Sequence, residues 1–109
     1  MCVIKDITTK LVKFRDERDW SQFHNSKDLA IALSIEANEL LEEFLWKNAE
    51  DAKIDNIKNE LADVFAYAFL LAEKYDFNVE QIVLEKIKKN ELKYPIDKAK
   101  GTSKKYTEL

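Results

Sequence analysis

Apolar residues recur three and four positions apart along most of the chain. Ile4, Ile7, Leu11 and Phe14 form one such stripe and predict a first helix. The segment RDERDWSQFHNS, residues 15–26, breaks the pattern and reads as a loop. Asn25 then offers an N-cap, with Asp28 as an acid in the first turn. A second helix is predicted from there to about Trp46. The polar KNAEDAK stretch leads into a third helix over roughly Asp51 to Lys74, with Ile54, Ile57, Leu61, Val64, Ala68 and Leu71 as its stripe. After the YDFN turn, Asn78 can cap a fourth helix, with Gln81 in the capping-box position. Ile82, Leu84, Ile87 and Leu92 give this helix apolar surface, and Pro95 ends or bends it. The last stretch, IDKAKGTSKKYTEL, has little periodicity and needs a surface to lie on.

This pattern predicts an all-α fold, an antiparallel four-helix bundle. One domain is expected over residues 1–109, with 95–109 as an extended tail. Broad apolar surface on four helices of so short a chain calls for a second copy, hence a homo-oligomer. Composition agrees: one Gly and one Pro in 109 residues leave few turn formers, so the elements must be few and long. No run approaches the roughly 20 apolar residues of a membrane span, so no membrane partner is expected. The opening MCVIKDITTK lacks the features of a signal peptide. Cys2 is the single cysteine, which excludes an internal disulfide and a Cys-rich metal site, and its plain reading is an incidental thiol. A soluble cytoplasmic protein is expected.

Charge sharpens the picture. Residues 86–105 carry eight Lys against Glu91 and Asp97, a local balance of +6 in a chain of net charge −3. The remainder is therefore strongly acidic, which argues against a nucleic-acid polymer as partner. The lysines read either as a solvated helix and tail or as contacts for a small anion.

The acids are concentrated where they should be costly. IEANELLEEFLW, Ile35 to Trp46, holds four glutamates and no base. On a helical wheel Glu36 sits among Leu29, Leu33 and Leu40, and Glu39 beside Ala32, Ile35 and Trp46. Neither has a base three or four residues away. Glu43 differs, since Lys47 is four residues on, and Glu42 is intermediate. The third helix repeats the device with Glu60 and Asp63, flanked by Ile57, Val64, Tyr67 and Leu71. Two carboxylates about 4 Å apart repel by roughly 4 kcal/mol at an effective dielectric near 20. Half-exposed acids, protonation, or lysines from elsewhere would each relieve this. A divalent metal is the simplest relief for two pairs on neighbouring helices, and Mg²⁺ prefers such oxygen donors.

Other chemistries lack their residues. Four-helix di-iron centres need a Glu-x-x-His motif, but the sole histidine, His24, has Ser21 three places before it. Zinc lacks Cys and His clusters, and one loop histidine makes no convincing nucleophilic triad.

The acid pattern E36-A-N-E39 followed by E60-L-A-D63 resembles that of the MazG-like all-α nucleoside triphosphate pyrophosphohydrolases. The segments FRDERDWSQFH, EFLWK, NELADVFAY, KIKKNELKYP and KGTSKKYTEL are similar to the dCTP pyrophosphatase branch, over nearly the whole chain. The resemblance implies Mg²⁺-dependent cleavage of a nucleoside triphosphate between the α and β phosphates, releasing the monophosphate and pyrophosphate. It implies Glu36, Glu39, Glu60 and Asp63 as metal ligands and catalytic acids, with Glu39 taken as the base toward water. It places Trp20, His24, Trp46 and Tyr67 in a base pocket; Trp46 otherwise reads as core and Trp20 as a hydrophobic anchor. Lys86, Asn90 and Tyr94 would bind phosphate or ribose, and Lys93 stands where the family often has Arg. Lys100, Lys104 and Lys105 would reach a site shared with a neighbouring subunit, or remain a solvated tail. A homotetramer with sites at subunit contacts and dCTP, or a modified dCTP, as substrate is the expectation. The alternatives are dUTP, phosphoribosyl-ATP, or a non-catalytic helical module that keeps the acids as remnants.

Overall fold

The computed structural model describes residues 2–109. Its described residues contain helices and turns and no strand, as the periodicity predicts. Four long helices, α1 (Val3–Glu17), α2 (Ser26–Glu42), α3 (Ile54–Lys74) and α4 (Val79–Lys93), are followed by the short α5 (Ile96–Ala99). Single 3₁₀ turns lie at Ser21–Phe23, Ala49–Asp51 and Tyr106–Glu108. The chain divides into two compact units, Met1–Phe77 and Asn78–Leu109.

In the first unit α2 and α3 form the main packed pair, and α1 lies against α3. Leu29 of α2 is fully buried, and Leu70 and Ala72 of α3 are buried with Ala52 of the preceding turn. The expected α3 stripe is only partly covered. Ile57, Val64, Ala68 and Leu71 are half-buried, whereas Ile54 is 80% and Leu61 40% exposed. Because α3 meets helices on two sides, its buried arc is broader than one stripe and takes in Leu70 and Ala72. The second unit is α4 with its tail. A lone helix cannot bury an apolar face by itself, and Val83, Leu84, Ile87 and Leu92 are all exposed. Its tail turns back, so that Tyr106 meets Tyr94 edge-on at 6.0 Å and lies under the Lys93 ammonium at 4.9 Å.

Both expected asparagine caps form. Asn25 Oδ1 accepts the Asp28 amide at 2.8 Å, and Asn78 Oδ1 accepts the Gln81 amide at 3.0 Å. The capping box at α4 is only half made: the Gln81 side chain donates to Glu85 Oε1 at 3.0 Å instead of returning to the cap.

Helix ends depart more from expectation. α1 continues through Glu17, because Arg15, Asp16 and Glu17 sustain a helix without an apolar stripe. It closes when the Trp20 amide donates to the Arg15 carbonyl at 3.1 Å and the Asp19 amide to that of Asp16 at 3.1 Å. α3 closes the same way, Phe77 donating to Ala72 and Asp76 to Glu73, each at 3.0 Å. These are paired terminal bonds that normally call on glycine in the left-handed region. Here aspartate fills both places, Asp19 at φ 55° and Asp76 at φ 56°. α2 stops at Glu42 rather than near Trp46, and α3 starts at Ile54 rather than Asp51. The residues between form turns, with Trp46 left-handed at φ 60°.

Leu29→Ala is expected to cost about 2–5 kcal/mol, since the leucine is fully enclosed. Asn25→Ala, which removes one cap bond, should cost about 1 kcal/mol. Denaturant melts followed by circular dichroism check both values and their order.

Candidate metal and nucleotide site

The α2–α3 pair brings the two acid motifs together. Glu36, Glu60 and Asp63 each place a ligand oxygen within 4.8 Å of the other two. Glu36 Oε2 and Glu60 Oε2 are screened from water and have no hydrogen-bond partner. Glu39, half-buried one turn along α2, adds its negative charge to that felt by both Glu36 and Glu60. Glu43 adds negative charge near Glu60. The expected Glu43–Lys47 helix pair does not form, because α2 has already ended at Glu42. The described ion pairs place no base on this cluster.

Carboxylates so placed resist ionisation. Loss of water around Glu36, then Glu39, Asp63 and Glu60, raises its pKa to about 7. Desolvation and then Glu39, Asp63 and Glu43 raise that of Glu60 as well. The donor set fits a hard divalent cation: oxygen donors, orphaned acceptors and excess negative charge.

Tyr67, one turn after Asp63 on α3, borders the acids. Burial, followed by Glu36, Asp63 and Glu39, raises its pKa and keeps the phenol a hydrogen-bond donor. Its ring meets His24 edge-on at 6.3 Å. The half-buried His24 leaves Nδ1 without a partner. Desolvation, Arg15 and Lys74 lower the His24 pKa and favour the neutral ring. The seam thus runs from carboxylates through Tyr67 and His24 to a basic end.

Trp20 follows α1 and packs edge-on against Phe14 at 5.8 Å, with the Arg18 guanidinium 3.6 Å from the Phe14 ring centre. The structure corrects the wheel position of Trp46. Its backbone is no longer helical, and its side chain is 94% exposed, so it shares no helical face with Glu39. A bulky residue in the left-handed region carries strain of about 1–3 kcal/mol. On α4, Lys86 and Asn90 are exposed, while Tyr94 caps the helix end against Tyr106. Arg15 was hidden from sequence reasoning inside an apparent loop. Its only signal was continued helix propensity beyond Phe14.

The raised Glu36 pKa sets a pH dependence for the metal-free protein. The folded state holds a proton that the unfolded state has released between about pH 4.5 and 7. This contribution to stability is therefore greatest below that window and falls as pH rises through it. Glu36→Gln should flatten this part of the profile and raise metal-free stability at pH 7.5 by on the order of 1–2 kcal/mol. Thermal melts in chelator from pH 5 to 8 measure both effects.

The MazG-like family model matches residues 31–109. Human dCTP pyrophosphatase 1 is 35% identical over 97% of this chain and 67% of its own length. The mouse protein of the same name is 33% identical over the same shares. A crystal structure of a pyrophosphatase from Archaeoglobus fulgidus superposes with a TM-score of 0.81, at 34% identity, covering 87% of this chain and 94% of that one. No described helix is long and apolar enough to cross a membrane. With helices, acid pairs and family model in agreement, the chain belongs to the MazG-like family.

Proposed function

We propose that this chain is a Mg²⁺-dependent nucleoside triphosphate pyrophosphohydrolase acting on dCTP or a modified dCTP. The observation that carries the reading is the group of Glu36, Glu60 and Asp63 oxygens within 4.8 Å, two of these acids bearing orphaned oxygens. The pyrophosphatase names of the relatives support the bond cleaved, and the dCTP pyrophosphatases support the base.

Glu36, Glu39, Glu60 and Asp63 would hold Mg²⁺. Bound there, the ion supplies charge neutralisation for the phosphates and a lowered pKa for water. Glu39 takes the water proton as the new P–O bond forms. The α–β bridging P–O bond breaks, leaving nucleoside monophosphate and pyrophosphate. The protonated Tyr67 hydroxyl donates a hydrogen bond to the substrate, and neutral His24 offers a ring nitrogen to the base edge. Trp20 and Trp46 provide aromatic faces for the base. Strain at Trp46 is consistent with a side chain held outward for a ligand or a neighbouring subunit. Lys86, Asn90 and Tyr94 contact phosphate or ribose.

A homotetramer accompanies this reading. Ile31, Ile35, Leu41 and Phe65 of the first unit, and Leu84 and Ile87 of the second, are large apolar residues exposed to water. A second copy would cover them.

With Mg²⁺ and a panel containing dCTP, dUTP and phosphoribosyl-ATP, pyrophosphate should be released fastest from dCTP. Phosphate release without pyrophosphate would overturn the bond assignment, and no turnover would favour a non-catalytic module. Glu60→Gln should lower activity on the order of 100-fold or more while helicity is retained. Sedimentation equilibrium checks the tetramer.

A further inference from the structure

Arg15 joins two parts of the first unit that sequence separates. Its side chain is only 11% exposed although it ends in a charge. Nε donates to Asp16 Oδ1 at 3.0 Å, and Nη1 reaches Glu73 Oε2 on α3 at 3.5 Å. Its carbonyl accepts the Arg18 amide at 3.2 Å and the Trp20 amide at 3.1 Å. The segment beyond is held by further bonds, Phe23 to Trp20 at 2.9 Å and His24 to Ser21 at 3.1 Å. One residue is thus bonded through its backbone to the Trp20–His24 segment and through its side chain to the helix bearing Tyr67, Glu60 and Asp63.

Glu73 is itself a closing point of α3, because its carbonyl accepts the Asp76 amide at 3.0 Å. The Arg15–Glu73 contact therefore fixes the C-terminal end of α1 beside that of α3. It sits where positive charge also complements the helix carbonyls, with Lys74 in the last turn of α3. Arg15 is the covered partner and Glu73 the exposed one, at 40%, so loss of Glu73 would leave the enclosed guanidinium with Asp16 alone and remove its tie to α3.

We propose that Arg15 is a positioning residue. Its ion pair with Glu73 sets the Trp20–His24 segment against Tyr67 and thereby the width of the nucleotide pocket. The role of the pocket rests on the function proposed above, whereas the positioning of His24 can be measured without nucleotide. Arg15 acts through Trp20 and His24, so the expected defect lies in substrate binding more than in turnover.

The test compares full-length wild type, Arg15→Met, Arg15→Lys and Glu73→Ala. His24 is the sole histidine, so its ring protons give an unambiguous NMR signal. The proposal expects its cross-relaxation with the Tyr67 ring to weaken in both Arg15→Met and Glu73→Ala. It also expects KM for dCTP to rise about tenfold in each, with a smaller change in kcat. Arg15→Lys, which keeps the charge but loses the forked geometry, should fall between them and wild type. Charge alone would move the two disruptive variants in opposite directions, because one removes a positive group and the other a negative one. Opposed KM changes, an unchanged ring contact, or a KM defect with the contact intact would each overturn positioning. Should Arg15→Met fail to fold, Arg15→Lys and Glu73→Ala decide. Should wild type fail to turn over any nucleotide, the functional reading falls, and the ring contact alone decides for or against positioning.

Discussion

The first unit is organised by a repulsion. Packing α2 against α3 drives Glu36, Glu60 and Asp63 into one another's field, in a region that water only partly reaches. Nothing in the described ion pairs neutralises them. Hydrophobic contacts that align the two helices and the electrostatic cost of that alignment arise from the same seam. A carboxyl that keeps its proton near neutrality and a site ready for a divalent cation are two outcomes of one arrangement.

From this centre the seam acquires direction. Tyr67 borders the acids, His24 meets Tyr67, and Arg15 and Lys74 bear on His24 from the far end. Burial first and then the carboxylates disfavour ionisation of the phenol, while burial first and then the cations disfavour protonation of the imidazole. Burial and the flanking charges thus act in the same sense on both rings, favouring their neutral forms. Under the proposed function, that gradient would separate a region for cation-bound phosphates from one for hydrogen bonding to the base.

Much of this could be read from residue order. The E-x-x-E and E-x-x-D pairs are local spacings, and spacing survives folding wherever a helix is continuous. Asn25 and Asn78 were legible because a cap is a contact over three residues. Trp46 was misplaced because no glycine or proline announces the end of α2, and a seven-residue extrapolation crossed that end. The close of α1 was obscured for the same reason, with Asp19 in a place usually marked by glycine. Arg15 was illegible because its partner, Glu73, is distant in sequence. The family resemblance supplied Tyr67 and His24 as pocket candidates, which spacing alone could not.

The two left-handed aspartates reach beyond helix termination. Glycine would take these turns without strain but would also give the denatured chain more conformations to lose. Asp19 and Asp76 accept local strain in the folded state while narrowing the unfolded ensemble. In a chain with one glycine and very few fully buried side chains, chain stiffness before folding becomes a resource comparable to contacts made afterward. Part of what holds this protein together thus resides in conformations it never has available to abandon.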